Sequence, residues 1–245
     1  MAFHQKHIPA VLAVITAVLE IRRGYFRGFP DFLRRVRWRT FLAGILLAMV
    51  AGAVVLAADV QVLRWAQAQD AAWAKMLAGF GREMGRNGNT WTVLCGLYLM
   101  VTVLRRHEIR ARIFTIFLSS ALTAGISSLF KITLLRARPY KDLGPLSFFN
   151  FSGFQQEHRA FQSCPSGDVA VVAGIAGYLF FTIRNPFLRA ACFLLPLATA
   201  LSRVSLNKHW PSDTVFATGL GLVSAWFILE FQKRVASRPQ DPPRA

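Results

Sequence analysis

Residues 113–130, IFTIFLSSALTAGISSLF, form an uncharged and mostly apolar run. A run of this length without charge is typical of a membrane-spanning helix, which needs about 20 mainly apolar residues. Five further runs along the chain have the same character, roughly at 41–58, 91–104, 169–183, 187–201 and 214–231. The sequence therefore predicts an all-α fold: an integral membrane bundle of six transmembrane helices.

The charge of the chain fits this class. The formal net charge is +17 and 54% of the 245 residues are hydrophobic. A basic protein that is also this apolar usually carries its cations in cytoplasmic loops rather than on a nucleic-acid surface. With the amino terminus inside, 18 of the 29 Lys and Arg residues lie in the internal segments 1–40, 105–112, 184–189 and 232–245. Both termini are predicted to be cytoplasmic, which puts the segments 131–168 and 202–213 together on the outer side.

The amino-terminal segment has a composition of its own. Residues 19–40, LEIRRGYFRGFPDFLRRVRWRT, interleave seven arginines with aromatic residues. This pattern predicts an amphipathic helix in the membrane interface, and a basic flank that only sets the topology is the alternative. The predicted domains are an interfacial segment at 1–40, a six-helix domain at 41–232 and a disordered cytoplasmic tail at 233–245. The glycine-rich stretch 79–90 is interpreted as a turn-rich outer loop, and contact of Arg82 or Arg86 with a ligand headgroup is the alternative.

The third apolar run ends in cations. In LFKITLLRARPYKD, residues 129–142, Lys131 and Arg138 are seven residues apart. Two helical turns would put them on one face, with Arg136 pointing elsewhere and Pro139 ending the helix. Cations at a helix end are often only snorkelling toward the headgroups.

The fourth run begins from the same side with Pro165, Ser166 and Gly167, in the stretch FQSCPSGDVAV. A proline, a serine and a glycine before an apolar run predict a helix start. Its free N–H groups and hydroxyl could bind an anion such as phosphate. Alone this is a weak signal, because Ser and Pro begin many helices.

The sixth run is entered through LSRVSLNKHWPSDTV, residues 201–215. Here Arg203 is a further cation, Asn207 suits a turn with positive φ, and His209 stands four residues before Asp213. An aspartate near a histidine can fix its tautomer and leave the other ring nitrogen free to attack. Three polar clusters on one side of a membrane indicate a functional site, because unused ionisable groups are costly there.

Together these clusters resemble the three-part signature of the type-2 phosphatidic acid phosphatase superfamily, in particular its six-helix bacterial lipid phosphatases. The matching residues are Lys131-x6-Arg138-Pro139, Pro165-Ser166-Gly167 and Ser202-Arg203-x5-His209-x3-Asp213. The resemblance implies metal-independent phosphoryl transfer through a phosphohistidine, with no cofactor. It implies His209 as the nucleophile, Asp213 as its orienting partner, and a phosphate cradle made of Lys131, Arg138, Arg203, Ser166 and Gly167.

One residue departs from the family pattern. The second motif usually ends in a histidine that protonates the leaving oxygen, and here the residue is Asp168. Three interpretations follow. Asp168 assists catalysis itself, the substrate has a leaving group that needs little protonation, or the chain is an impaired enzyme that only binds lipid phosphate.

The resemblance implies a lipid phosphatase of the bacterial inner membrane with its site facing the periplasm. Lipid A 1-phosphate is the favoured substrate, because relatives similar to lipid A phosphatases tolerate an acid at this position. Undecaprenyl diphosphate and phosphatidylglycerol phosphate are the alternatives, and lipid phosphotransfer is a further one. The competing class is a non-catalytic transporter or scaffold that binds an anionic lipid. Neither nucleic acid nor a metal is predicted as a partner, and the oligomeric state is open.

Overall fold

The computed structural model describes residues 29–85 and 87–236, and within these ranges the secondary structure is helical. The described helices are α1 (Phe29–Arg35), α2 (Trp38–Leu56), α3 (Asp59–Gln67), α4 (Ala72–Gly85), α5 (Asn87–Val103), α6 (His107–Leu134), α7 (Phe151–Gln156), α8 (Gly167–Thr182), α9 (Pro186–Ala191), α10 (Leu194–Ser205) and α11 (Pro211–Ala236). Two short 3-10 turns lie in the connection between α6 and α8. The predicted all-α class is confirmed.

Helix α11 lies at the centre of the bundle and packs against α2, α6 and α8. It approaches α8 closely, since a Cβ atom on Gly221 would lie 2.5 Å from the Cβ of Ala173. Small residues at such crossings let helix backbones approach closely, which is a common way for helices to associate in membranes. The two helices begin side by side, since the N–H of Ser166 donates to the carbonyl of Asp213.

The serines of the run at 113–130 explain why polar residues occur in so apolar a helix. The hydroxyl of Ser119 donates to the carbonyl of Gly174 at 2.8 Å, and the hydroxyl of Ser120 donates to the carbonyl of Val171 at 3.0 Å. Both acceptors belong to α8. Buried hydroxyls with a partner avoid the cost of an unsatisfied polar group, so these serines join α6 to α8.

All six predicted apolar runs lie on helices. Within the described residues, four segments are long and apolar enough to cross a membrane: Trp38–Leu56, His107–Lys141, Pro186–Ser205 and Pro211–Arg234. The other two, Asn89–Val103 and Gly167–Thr182, are apolar but shorter. The fifth run is divided between α9 and α10, and the side chain of Asn185 caps α9 by accepting from the N–H groups of Phe187 and Leu188.

The interpretation of 79–90 as an outer loop is wrong. Helix α4 continues to Gly85, and α5 begins at Asn87. Two of the glycines serve close packing instead of turns. A Cβ atom on Gly81 would lie 2.1 Å from the carbonyl oxygen of Ala198 in α10, and one on Gly85 would lie 2.5 Å from Cγ2 of Thr199 in the same helix. Glycine thus lets α4 lie directly on α10, the helix that carries Arg203.

The terminal predictions lie partly outside the described residues, which leave out 1–28 and 237–245. Within 29–40, the ring of Phe32 is buried against Phe227 and Phe231 of α11, so it belongs to the protein core rather than to the membrane interface. Residues 233–236 of the predicted tail are the last turn of α11.

Candidate active site

The segment after α6 differs from the predicted helix. The helix ends at Leu134, and Leu135 has a left-handed conformation with φ of 41°. Residues 136–138 then run between two other segments of the connection. The N–H of Ala137 donates to the carbonyl of Ser147, and the N–H of Arg138 donates to the carbonyl of Ala160. The prediction that Lys131 and Arg138 share one helical face is therefore wrong, because tertiary backbone pairing ends the helix at Leu134, five residues before Pro139.

The start of α8 agrees with the prediction. Helix α8 begins at Gly167, directly after Ser166, and a Cβ atom on Gly167 would lie 2.6 Å from the Nζ of Lys131. The hydroxyl of Ser166 is buried and has no hydrogen-bond partner among the described residues. A lysine, an unpartnered hydroxyl and free helix N–H groups thus meet at one point, which is an arrangement suited to an anion.

One ring nitrogen of His209 is hydrogen-bonded to the backbone, and the other has no hydrogen-bond partner among the described residues. Its Nδ1 lies 2.8 Å from the carbonyl oxygen of Ser163. A carbonyl only accepts, so Nδ1 carries the proton and the lone pair of the neutral ring is on Nε2. Burial lowers the pKa of His209 below its ordinary value, Arg138 and Lys131 lower it further, and Asp213 opposes them. The ring is therefore neutral at pH 7, which is the state that a nucleophile requires.

Asp213 acts on His209 indirectly. The nearest approach of its carboxylate to Nδ1 is 3.8 Å, which is longer than a hydrogen bond. The same oxygen, Oδ2, accepts from the hydroxyl of Ser163 and from the N–H of Trp210 at 2.9 Å. Asp213 therefore fixes Ser163, and the carbonyl of Ser163 orients the imidazole. The sequence predicted Asp213 as the partner of His209, but it did not predict that Ser163 lies between them.

Arg136, which the helical pattern had pointing elsewhere, is the centre of a buried network. Its Nη1 donates to Asp213 and to the hydroxyl of Ser212, and its Nη2 donates to Asp59 at 2.6 Å. Asp59 also accepts from the N–H and the hydroxyl of Ser212, at 2.8 and 2.6 Å. The side chains of Arg136 and Asp59 are 1% and 0% exposed. Sequence reasoning missed both, although Asp59 directly follows the first apolar run.

The cation Arg203 faces Asp168. Its Nε lies 2.9 Å from Oδ2 of Asp168, although the N–H is not aligned well enough for a hydrogen bond. Its Nη2 donates to the carbonyl of Arg82 at 3.2 Å. Asp168 thus neutralises part of the positive charge at the site, and α4 holds the guanidinium in place.

Arg138 is the last of the predicted site residues. Its Nε is buried without a hydrogen-bond partner in the part of the chain that the structure describes. It lies near enough to Asp168, Asp213 and Arg203 to interact with their charges, as Lys131 does with Arg138. The structure brings all the predicted site residues together: His209, Asp213, Asp168, Lys131, Arg138, Ser166, Gly167 and Arg203.

The network around Arg136 can be tested through Asp59. Replacing Asp59 with alanine leaves donors of Arg136 and Ser212 buried without a partner. We expect the free energy of unfolding to fall by about 3–5 kcal/mol, as for other broken buried ion pairs. The measurement is thermal unfolding of the purified protein in detergent.

Asp70→Ala is the matched control. Asp70, like Asp59, is an aspartate that follows α2 in the chain, but its ion pair with Lys75 is exposed. An exposed pair contributes little, so this variant should unfold at the parent temperature. If Asp59→Ala also unfolds at the parent temperature, the network does not stabilise the fold.

Comparisons with known proteins bear on the family of the chain. Residues 112–236 match the family model of the PAP2 superfamily. The lipid A 1-phosphatase of Rhizobium johnstonii is 33% identical over 116 residues, which are 46% of this chain and 44% of that protein. The lipid A 1-phosphatase of Rhizobium etli is 35% identical over 123 residues, 49% of this chain and 48% of that protein. The aligned region thus spans less than half the length of these relatives.

Among solved structures, the chain is similar to a PAP2-type phosphatidylglycerolphosphate phosphatase from Bacillus subtilis. The TM-score is 0.56 at 18% identity, over 80% of this chain and 96% of that one. At this identity the likeness concerns the fold alone. The family match includes every predicted site residue but not Asp59. On the match of its family model, supported by the site geometry, the chain belongs to the PAP2 superfamily, the type-2 phosphatidic acid phosphatases that its motifs resemble.

Proposed function

We propose that this protein is a membrane lipid phosphatase that removes a phosphate from a lipid headgroup through a phosphohistidine at His209. The observation that carries the proposal is the state of that ring. Its Nδ1 is held by the carbonyl of Ser163, and its Nε2 has no partner among the described residues, with three cations and a helix start nearby. Binding an anion alone would not require a buried, oriented and neutral imidazole.

The first step transfers the phosphoryl group to the enzyme. The lone pair on Nε2 of His209 attacks phosphorus, a nitrogen–phosphorus bond forms, and the bond from phosphorus to the lipid oxygen breaks. Lys131, Arg138 and Arg203 stabilise the charge on the three equatorial oxygens. The hydroxyl of Ser166 and the N–H of Gly167 donate to the same oxygens. The leaving oxygen departs with the electron pair and takes up a proton.

The second step restores the enzyme. A water molecule attacks phosphorus, the nitrogen–phosphorus bond breaks, and inorganic phosphate leaves. The imidazole regains its lone pair on Nε2. Throughout, the Ser163 carbonyl stabilises the charge that develops on the ring, because Nδ1–H donates to it, and Asp213 holds Ser163 in position.

The source of the proton for the leaving oxygen distinguishes possible substrates. Asp168 occupies the usual position of the acid, and its Oδ2 is engaged by Arg203, whose Nε lies 2.9 Å away. The enzyme then depends on water for this proton, or acts on a leaving group that needs none. This observation favours undecaprenyl diphosphate as the second candidate, because its leaving group is itself a phosphate.

Lipid A 1-phosphate is nevertheless the substrate that we propose. The names of the two Rhizobium relatives support it, at 33% and 35% identity over less than half of their lengths. Phosphatidylglycerol phosphate, transfer to another lipid, and binding without turnover are further alternatives. The two reactions leave different products and binding without turnover leaves none, so product analysis separates the alternatives.

For the membrane we propose six crossings in the bacterial inner membrane, with both termini cytoplasmic and the site at the periplasmic face. The four long apolar segments and the two shorter apolar helices support six crossings. The excess of Lys and Arg in the predicted inner segments supports the orientation. Site residues from α6, α8, α10 and α11 would then all lie on the outer side.

The function is tested by release of inorganic phosphate from a panel of the three lipid phosphates, with purified protein in detergent and a chelator present. We expect release from lipid A 1-phosphate, and loss of release in His209→Ala because the covalent route is removed. His158→Ala is the matched control, since His158 is an exposed histidine of the outer connection. Release that survives in His209→Ala, or that requires added metal, would contradict the mechanism.

The role of Asp168 is tested by Asp168→His. If Asp168 is an imperfect replacement for an acid, the histidine should raise turnover of lipid A 1-phosphate, whose sugar oxygen leaves with difficulty. General acid assistance contributes about 10²–10⁴-fold, so the gain should be easy to measure. Turnover of undecaprenyl diphosphate should change much less. Lower turnover on every substrate would mean that Asp168 has an essential role of its own.

A further inference from the structure

The connection between α6 and α8 exposes an unusual number of large apolar side chains on the outer side. Leu143, Leu146, Phe149 and Phe151 are 52%, 71%, 60% and 63% exposed, all within nine residues. Loops that face water are rich in polar residues, and a cluster of exposed apolar groups marks a contact with a partner or a membrane. We name these four residues the apolar edge.

The apolar edge is held firmly against the bundle. The carbonyl of Pro145 accepts from Nε and Nη2 of Arg136, at 3.0 and 2.7 Å. The N–H of Phe149 donates to the carbonyl of Leu134 at 2.8 Å. Next to it the ring of Phe148 turns inward, where the guanidinium of Arg136 lies 4.8 Å from its centre. The exposure of the edge is therefore built into the fold.

The backbone conformation of Phe149 is a second indication of a contact outside the described protein. Its φ is 56°, in the left-handed region where bulky residues are uncommon and pay a conformational cost. A loop in water would place glycine or asparagine at such a position. Here a phenylalanine takes that conformation with 60% of its surface exposed. The strain is consistent with a ring that is stabilised by contact outside the described protein.

The surroundings indicate which contact this is. Leu129 and Ile132, in the last turns of α6, are 63% and 55% exposed on a segment long and apolar enough to span a membrane. The N–H of Phe149 is hydrogen-bonded to the carbonyl of Leu134, which lies two residues beyond Ile132. The apolar edge thus adjoins the end of a helix surface that is suited to face lipid.

We propose that the apolar edge inserts into the outer leaflet, at the boundary between headgroups and acyl chains. Large apolar side chains gain free energy by leaving water for this region, and aromatic rings are enriched there. The occupant is the bilayer itself. The insertion follows from the exposure, the anchoring and the position of these residues, whatever reaction the site performs.

Insertion has a consequence for the site, and this consequence rests on the proposed function. Lys131 lies three residues before Leu134, so its Cα is only about 4.5 Å deeper along the helix axis. An edge inserted at Leu134 would hold the phosphate site at headgroup depth. A lipid phosphate could then reach Lys131 while its acyl chains stay in the bilayer.

The test is site-directed spin labelling of the full chain in lipid nanodiscs. A nitroxide is attached to Phe149→Cys or, separately, to Leu146→Cys, in a Cys192→Ser background because Cys95 and Cys164 are buried. Collisions with oxygen, which concentrates in the bilayer, are compared with collisions with a water-soluble nickel complex. Gln155→Cys is the matched control, an exposed polar position in the same connection.

We expect the ratio of oxygen to nickel collisions to be several-fold higher at positions 149 and 146 than at 155. Ratios equal to that of position 155 would put the edge in water and overturn the proposal. Labels shielded from both reagents would put the edge against protein, either a second copy or a residue range outside those described, and would also overturn it. The assay needs no substrate, so its failure is distinct from failure of the proposed reaction.

Discussion

The guanidinium of Arg136, buried between the carboxylates of Asp59 and Asp213, fixes the end of the bundle that carries the candidate site. One side chain joins α3, α11 and the connection that follows α6. A charge buried in this way is tolerated only when nearly all of its donors have partners, so the network defines one arrangement of these elements and penalises others. The helix ends that carry the candidate site lie directly on it.

The network also determines how the imidazole is presented. Asp213 is shared between Arg136 and Ser163, and the carbonyl of Ser163 holds Nδ1 of His209 at 2.8 Å. The orientation of the ring therefore depends on a chain of contacts rather than on one carboxylate. Lys131 and Arg138 stay outside the Arg136 network, and so their charges remain available for a phosphate. The cation that stabilises the fold and the two that we propose to bind phosphate are thus different residues, although they lie within eight residues of one another.

Much of this could be predicted from the sequence, because local patterns encode it. Apolar runs gave the helices, Pro165–Gly167 marked the start of α8, and Asn207 has the predicted positive φ, at 58°. The rest depends on contacts between distant residues. Asp59 meets Arg136 across 77 positions, and helical periodicity could not anticipate that the helix would end at Leu134 and that Leu135 would adopt a left-handed conformation. Gly81 and Gly85 resemble turn residues locally, and only the neighbouring α10 shows them to be packing residues.

The most direct test of the central claim is to trap the phosphoenzyme. The protein is mixed with lipid A 1-phosphate that carries radiolabelled phosphate, denatured within the first turnover in alkali, and analysed by mass spectrometry of its peptides. The account predicts label on His209 that is stable in base and lost in acid, as expected for a phosphorus–nitrogen bond, and no label in His209→Ala. Label on another residue, or turnover of the lipid with no protein-bound phosphate at any time, would contradict it.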